Sequence, residues 1–175
     1  GSPKTSARWN NLLSKRGLNL ENTIVMDVGS PYWHQPSIPY VRQYSSSPLV
    51  RRLNAATFFP ETASISLVEV EGVRTYAVLE SSKNSWAETD FQTDPPSYQE
   101  GIDQRGPLTL VASSGPLAAS SAETAEEFDQ EDPINLVVFG SSRFVHNEAL
   151  ESAGNLDLFL NVVNHLADRK ELMSI

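Results

Sequence analysis

At 175 residues the chain is long enough for one domain with a real core and too short for two comfortable ones. Hydrophobic residues make up 39% and aromatics 9%, enough to offset ordering entropy, so a chain disordered throughout is excluded. Lys and Arg number 13 against 22 Asp and Glu, giving −9, and no basic cluster exceeds Arg51-Arg52, which argues against nucleic-acid binding.

Cysteine is absent, which removes disulfides, Cys-zinc sites and thiol nucleophiles together. No apolar run approaches the ~20 residues that span a bilayer. Residues 1–4 read as a tag remnant (Gly1-Ser2) and a disordered start. Missing targeting signals therefore say little about the parent protein.

Along the chain, residues 5–16 carry Trp9, Leu12 and Leu13 at helical spacing, with Gly17 as the C-cap. This predicts a helix packing that face. Thr23–Val28 is a short β-branched strand ending at Gly29-Ser30-Pro31. Pro36, Pro39 and Pro48 make the next segment an extended excursion, with at most a turn or two of helix at Leu49–Leu53. Alternation over Ser64–Val70, a turn at Glu71-Gly72 and resumption over Val73–Leu79 predict a hairpin. Residues 84–107 read as a polar loop and Pro107–Ala112 as a strand. Residues 113–133 turn Ser/Ala-rich and then acidic, a flexible solvated loop that lacks the set spacing of a calcium site. Ile134–Gly140 is a nearly continuous apolar strand, expected to be central. Leu156, Phe159, Leu160, Val163 and Leu166 then give the clearest helix, over 155–167, with Asn155 at the N-cap and Asp157 in the first turn. Strand, crossover and helix together imply a single α/β domain over 5–175, a mixed sheet of roughly five or six strands flanked by the two helices.

The strand that stops on Gly140-Ser141-Ser142 invites comparison with a hydrolase nucleophile turn. That turn needs small residues on both sides of the serine, and Ser142 is followed by Arg143-Phe144. His34, His146 and His165 form no metal-ligand pair, and neither a G-x-G-x-x-G nor a P-loop is present. Tyr32, Trp33, Tyr40 and Trp86 are either packing anchors for long loops or contacts for a partner or glycan.

Several segments, TIVMDV, PLVRRLNAATFFPETASIS, YAVLESSKNSWAETDF, RGPLTLVA and the run from INLVVFGSSRFVHN to the end, together resemble one bacterial family. It is the extracytoplasmic domain of the auxiliary component of uncharacterised ABC transport systems, the gliding-motility type. The most specific stretches are L-x-S-S-x-x-S-W-x-E at 79–88 and G-N-x-D-L-F-L-N-x-V-N-x-L at 154–166. The resemblance implies flavodoxin-like or amidotransferase-like layering and a non-enzymatic accessory role at the periplasmic face of the inner membrane. It also implies ABC permease and ATPase subunits as partners, a missing preceding α/β portion, and a membrane-spanning helix after Ile175. An acidic residue is expected in that family's turn where Ser141-Ser142 stand here.

Candidate ligand or partner contacts are Trp33, Ser85, Trp86, Ser141, Ser142 and Asn147. No catalytic residue, metal ligand or cofactor is assigned. A glycan- or peptide-binding module is the alternative function, and a serine hydrolase using Ser142 with His146 is the third.

Overall fold

In the computed structural model, which describes residues 3–31, 34–91, 95–117, 133–151 and 154–172, the first helix, α1 (Pro3–Leu13), opens on Pro3, where a missing N–H costs nothing. Helix therefore starts inside the stretch expected to be disordered. A 3-10 turn at Ser14–Arg16 follows, and Gly17 ends it with φ 72°, its N–H bonded to the Ser14 carbonyl. A Cβ at Gly17 would sit 2.8 Å from both Thr75 Cγ2 and the Val68 oxygen, so glycine is required twice over.

All strand pairs among the described residues are antiparallel. β1 (Leu18–Leu20) pairs with β5 (Ile65–Leu67), and β3 (Tyr40–Val41) with β4 (Thr57–Phe58). β2 (Ile24–Asp27), β7 (Ser85–Glu88) and β8 (Gln104–Arg105) form one three-stranded sheet in that order. β6 (Val73–Glu80), β9 (Thr109–Pro116) and β10 (Leu136–Phe139) form another, in the order β10-β9-β6. A short helix α2 (Asn147–Leu150) precedes α3 (Asn155–Leu172). No described helix is long and apolar enough to cross a membrane.

This overturns the expected α/β mixed sheet with flavodoxin-like or amidotransferase-like layering. Parallel neighbours need long crossovers, usually helical. Here α1 precedes every strand and α2 and α3 follow the last, and among the described residues no α-helix lies between two strands. The result is β-rich, with small antiparallel sheets.

Further differences share that cause. β5 turns away from the expected hairpin and pairs with β1, leaving one bridge, Val70 to Val73, beside Gly72. The polar stretch 84–107 contains β7, whose four residues are all buried, because its polar side chains are bonded internally. β9 runs on through Ser113-Ser114-Gly115, which the sequence assigns to the loop. Small residues are needed there, since a Cβ on Gly115 would lie 1.5 Å from the Pro133 oxygen. The rest of that acidic stretch, 118–132, lies outside the described residues. β10 is an edge strand, with Val137 and Phe139 against the main core and Leu136 and Val138 against a smaller one around Leu13, Leu18 and Ile65.

One irregular segment, 59–64, joins the sheets. Its backbone bonds outward at Phe59 N to Pro39 O (3.0 Å), Glu61 N to Ser37 O (2.8 Å), Val25 N to Thr62 O (2.8 Å), Ala63 N to Gly140 O (2.9 Å) and Glu21 N to Ser64 O (2.9 Å). Phe59 itself is fully buried in the main core with Val25, Leu49, Val78, Leu110 and Leu158.

Both long helices are held by an asparagine whose amide pairs with both backbone groups of one strand residue. Asn10 binds Leu20 (Nδ2 to O 2.9 Å, N to Oδ1 2.8 Å), and Asn155 binds Phe58 (Nδ2 to O 3.0 Å, N to Oδ1 2.9 Å). These contacts fix the rotation of each helix. α3 turns Leu158 and Val162 inward and Leu166 packs against the same core, while Leu156, Phe159, Leu160 and Val163, the other four residues of the expected stripe, face outward, on average about 130° round the helix axis from Leu158 and Val162. On α1, Leu13 is buried and Trp9 and Leu12 are exposed.

Leu158→Ala is expected to cost about 2–5 kcal/mol in denaturant unfolding, whereas Leu160→Ala stays within about 1 kcal/mol. Equal losses would contradict the assigned face. A second expectation concerns Tyr44, whose hydroxyl donates to the Ala55 carbonyl at 2.5 Å and whose burial pushes its pKa above the ordinary 10.0. A raised phenol stabilises the fold fully below the unfolded value and loses that contribution as pH rises through the folded one. Urea midpoints should therefore fall on the alkaline side of pH 10 in the native protein, and fall less steeply in Tyr44→Phe.

Candidate functional site

β10 delivers Gly140 into the tightest place in the fold. Its N–H bonds to Leu110 O at 2.9 Å, and its carbonyl receives Ala63 N. A Cβ would lie 2.1 Å from the Ala63 oxygen and 2.5 Å from Thr62 Oγ1, which only glycine avoids. Ser141 is buried; its Oγ donates to Pro60 O at 2.6 Å and accepts from Arg143 N at 3.1 Å, closing a serine turn. A hydroxyl whose proton is committed to a carbonyl is poorly placed as a nucleophile. Ser142 and His146 are exposed, and no hydrogen bond joins them among the described residues. Phe144 anchors the 3-10 turn Arg143–Val145 by stacking on Phe139 at 4.3 Å.

Beside this turn lies a groove of about 470 Å³. It is lined by Trp9 of α1, Leu20, Ile24, Phe91, Ser142 and Arg143. Trp9 and Phe91 are 55% and 51% exposed. Arg143 Nη1 meets Glu61 Oε1 at 2.8 Å, a half-exposed ion pair that solvent screens to little net stability. Glu61 holds φ 48°, a left-handed conformation uncommon outside glycine, where its N–H reaches Ser37 O. Flat aromatic faces beside charged and amide groups suit an extended chain or a sugar ring.

The stretch 79–88 is structural. Asp27, fully buried, accepts from Gly29 N (2.9 Å), Ser82 N (3.0 Å) and Ser82 Oγ (2.6 Å). Ser85 Oγ donates to Ser82 O at 2.7 Å, so in its 2.7 Å contact with Ser81 the Ser81 hydroxyl is the donor. Ser81 Oγ also accepts from Leu108 N at 2.9 Å. Trp86 Nε1 donates to Glu88 Oε2 at 3.1 Å, and Glu88 Oε1 accepts from Asp90 N at 2.9 Å. Each serine and carboxylate in this knot offsets the burial of another. The stretch 154–166 is likewise used for docking α3, through Gly154 N to Ala56 O (2.8 Å), Asn155, and Asn161 Nδ2 to Leu49 O (3.4 Å).

The candidate contacts do not form one site. Trp33 lies outside the described residues. Ser85 and Trp86 are buried in β7, Trp86 at 7% exposure, so neither meets a ligand from solvent. Ser141 and Ser142 line the groove, Ser141 as its buried support, and Asn147 is exposed at the start of α2. The residues that sequence reasoning passed over are Trp9 and Phe91. Trp9 falls on the face that spacing predicts to pack, and it is the pairing of Asn10 with Leu20 that fixes which side of α1 is exposed.

Trp86→Ala is expected to cost about 3–5 kcal/mol in denaturant unfolding, and Trp9→Ala no more than about 1 kcal/mol. The reverse order would exchange their assigned places. No protein-family model matches the sequence, and no curated protein does. Among solved structures the chain is similar to the mmIFT52 N-terminal domain, with TM-score 0.57 and 16% identity over 91% of this chain and 57% of that one. The chain thus spans little more than half the length of that structure. At this identity the likeness bears on fold alone, and the fold shared is the β-rich one.

Proposed function

We propose that the chain is a non-enzymatic interaction domain, the extracytoplasmic accessory part of an ABC transport or motility system that engages permease and ATPase subunits. The observation that carries the interaction role is the outer face of α3. Leu156, Phe159, Leu160 and Val163 recur at i, i+3, i+4 and i+7 and are 38 to 45% exposed. Large apolar side chains clustered on one exposed helix face favour a partner surface over a solvated one. The transport setting is supported by the sequence resemblance over 79–88 and 154–166. Supporting the non-catalytic part, Ser141 is committed to Pro60 and the acids Asp27 and Glu88 to internal bonds.

A glycan- or peptide-binding module is favoured by a separate observation, the groove lined by the exposed Trp9 and Phe91. A melting-temperature shift with glycans or peptides that disappears in Trp9→Ala would select it.

The leading proposal is tested by pulling the full-length parent from detergent. Permease and ATPase subunits should co-purify with the native protein and fall at least tenfold with Leu160→Asp. Their absence from the native pull-down removes the proposal.

A further inference from the structure

The two outer strands of the sheet β10-β9-β6 are finished differently. β6 carries Arg74 and Glu80, loses register between Ala77 and Glu80, and is met on its outer side by the bridge from Val70 to Val73 and by Ser45 Oγ on the Val78 carbonyl at 3.3 Å. Charge, irregularity and cover keep an edge from pairing with another chain. β10 lacks the first two: Pro133 to Ser142 reads PINLVVFGSS, without an ionisable side chain, and Leu136 to Phe139 keep register with β9 throughout.

Cover is decided by which backbone groups β9 uses. Gly72 O accepts from Leu117 N on one side of β9, and Leu110 O from Gly140 N on the other, so Ser113 and Gly115 face β6 while Leu110, Ala112 and Ser114 face β10. Leu136 and Val138, opposite Ser114 and Ala112, therefore commit their N–H and C=O to β9. Val137 and Phe139 point theirs the other way, and among the described residues no hydrogen bond reaches them there. Both faces beside this edge are apolar, with Leu136 and Val138 on the small core and Val137 and Phe139 on the main one. Whatever pairs here must be extended, uncharged and apolar on both faces.

We propose that the occupant is β10 of a second copy, paired antiparallel about Val138, so that two chains share one sheet in the order β6-β9-β10-β10-β9-β6. In that register Val137 of each copy lies opposite Phe139 of the other, and every open N–H and C=O of the two residues finds a partner. The second copy is selected because one stretch supplies both the demand and its answer: a neutral strand, apolar on both faces and open at the matching groups. The −9 of each chain lies outside the paired stretch and opposes it only through screened, longer-range repulsion. A lipid surface offers no backbone ladder. The antiparallel direction also carries Asn135 and Pro133 of the second copy past Gly140, toward the groove that Gly140 lines with the exposed Trp9 and Phe91.

Sedimentation of the 175-residue chain from micromolar to near-millimolar concentration should show a monomer–dimer equilibrium that added salt shifts toward dimer. Val137→Pro removes an N–H that β9 does not use, and should abolish the dimer while the melting temperature stays native. The absence of native cysteine makes the register readable. Val138→Cys should oxidise to a disulfide-linked dimer, because the two copies of that residue meet as a close, non-hydrogen-bonded pair, whereas Leu136→Cys should stay monomeric. Should Val137→Pro fail to fold, amide exchange of the native chain decides, with the Val137 and Phe139 N–H groups slowing as concentration rises. A chain that is monomeric at every concentration overturns the proposal. So does a dimer that survives Val137→Pro, cross-linking through Leu136→Cys in place of Val138→Cys, or a dimer lost in Leu160→Asp, which would put the contact on α3. A monomer that binds a synthetic peptide of residues 134–140 also overturns it, leaving the edge to a foreign strand.

Discussion

The structure depends on the backbone hydrogen-bond demand of one segment, Thr57–Leu67. Its ends are the short strands β4 and β5, paired with β3 and β1, and its irregular middle bonds outward to Pro39, Ser37, Val25 and Gly140. A buried segment cannot leave those groups to water. The four small sheets of the described residues are thereby joined by a stretch that is itself mostly not strand. Gly140 must be glycine and Ser141 must reach Pro60 because the end of β10 is drawn against this segment.

The same demand explains where the buried polar residues went. Asn155 completes the backbone of Phe58, and Asn10 completes that of Leu20, each replacing a missing strand neighbour with a side-chain amide. Asp27, Glu88 and the serines of 79–88 do similar work around β7. A catalytic reading of any of these groups meets the objection that its donors and acceptors are already committed. Among the described residues, large apolar side chains are left facing outward on α3 and around the groove at Trp9 and Phe91.

Much of the chain was legible from local pattern. The helices at 5–16 and 155–167, the strands at 23–28, 73–79, 107–112 and 134–140, and the turns at Gly17 and Gly72 lie within a few residues of their observed places. β7 was not legible, because SWAE carries no apolar alternation and is buried through its own bonds. The layering was misread because helix and strand patterns in one chain suggest crossovers, and pairing direction is decided by connections that local periodicity does not record. The candidate contacts follow the same rule: Trp86 is conspicuous in sequence and buried in the fold, while Phe91 has no local signal and is exposed.

The sequence by itself determined that the chain is acidic, cysteine-free and apolar enough to build a core. It also determined that its last helix is strongly apolar and that the Gly140 turn lacks the neighbours of a nucleophile elbow. Only the tertiary structure decided which side of that helix meets the core. Spacing of 3.6 residues identifies an apolar stripe, but α3 has two, Leu158 with Val162 and Leu156 with Phe159, Leu160 and Val163. The choice between them was made by the buried amide of Asn155 bonding to Phe58, a contact across 97 positions of sequence. It turned the more conspicuous stripe outward, away from the core.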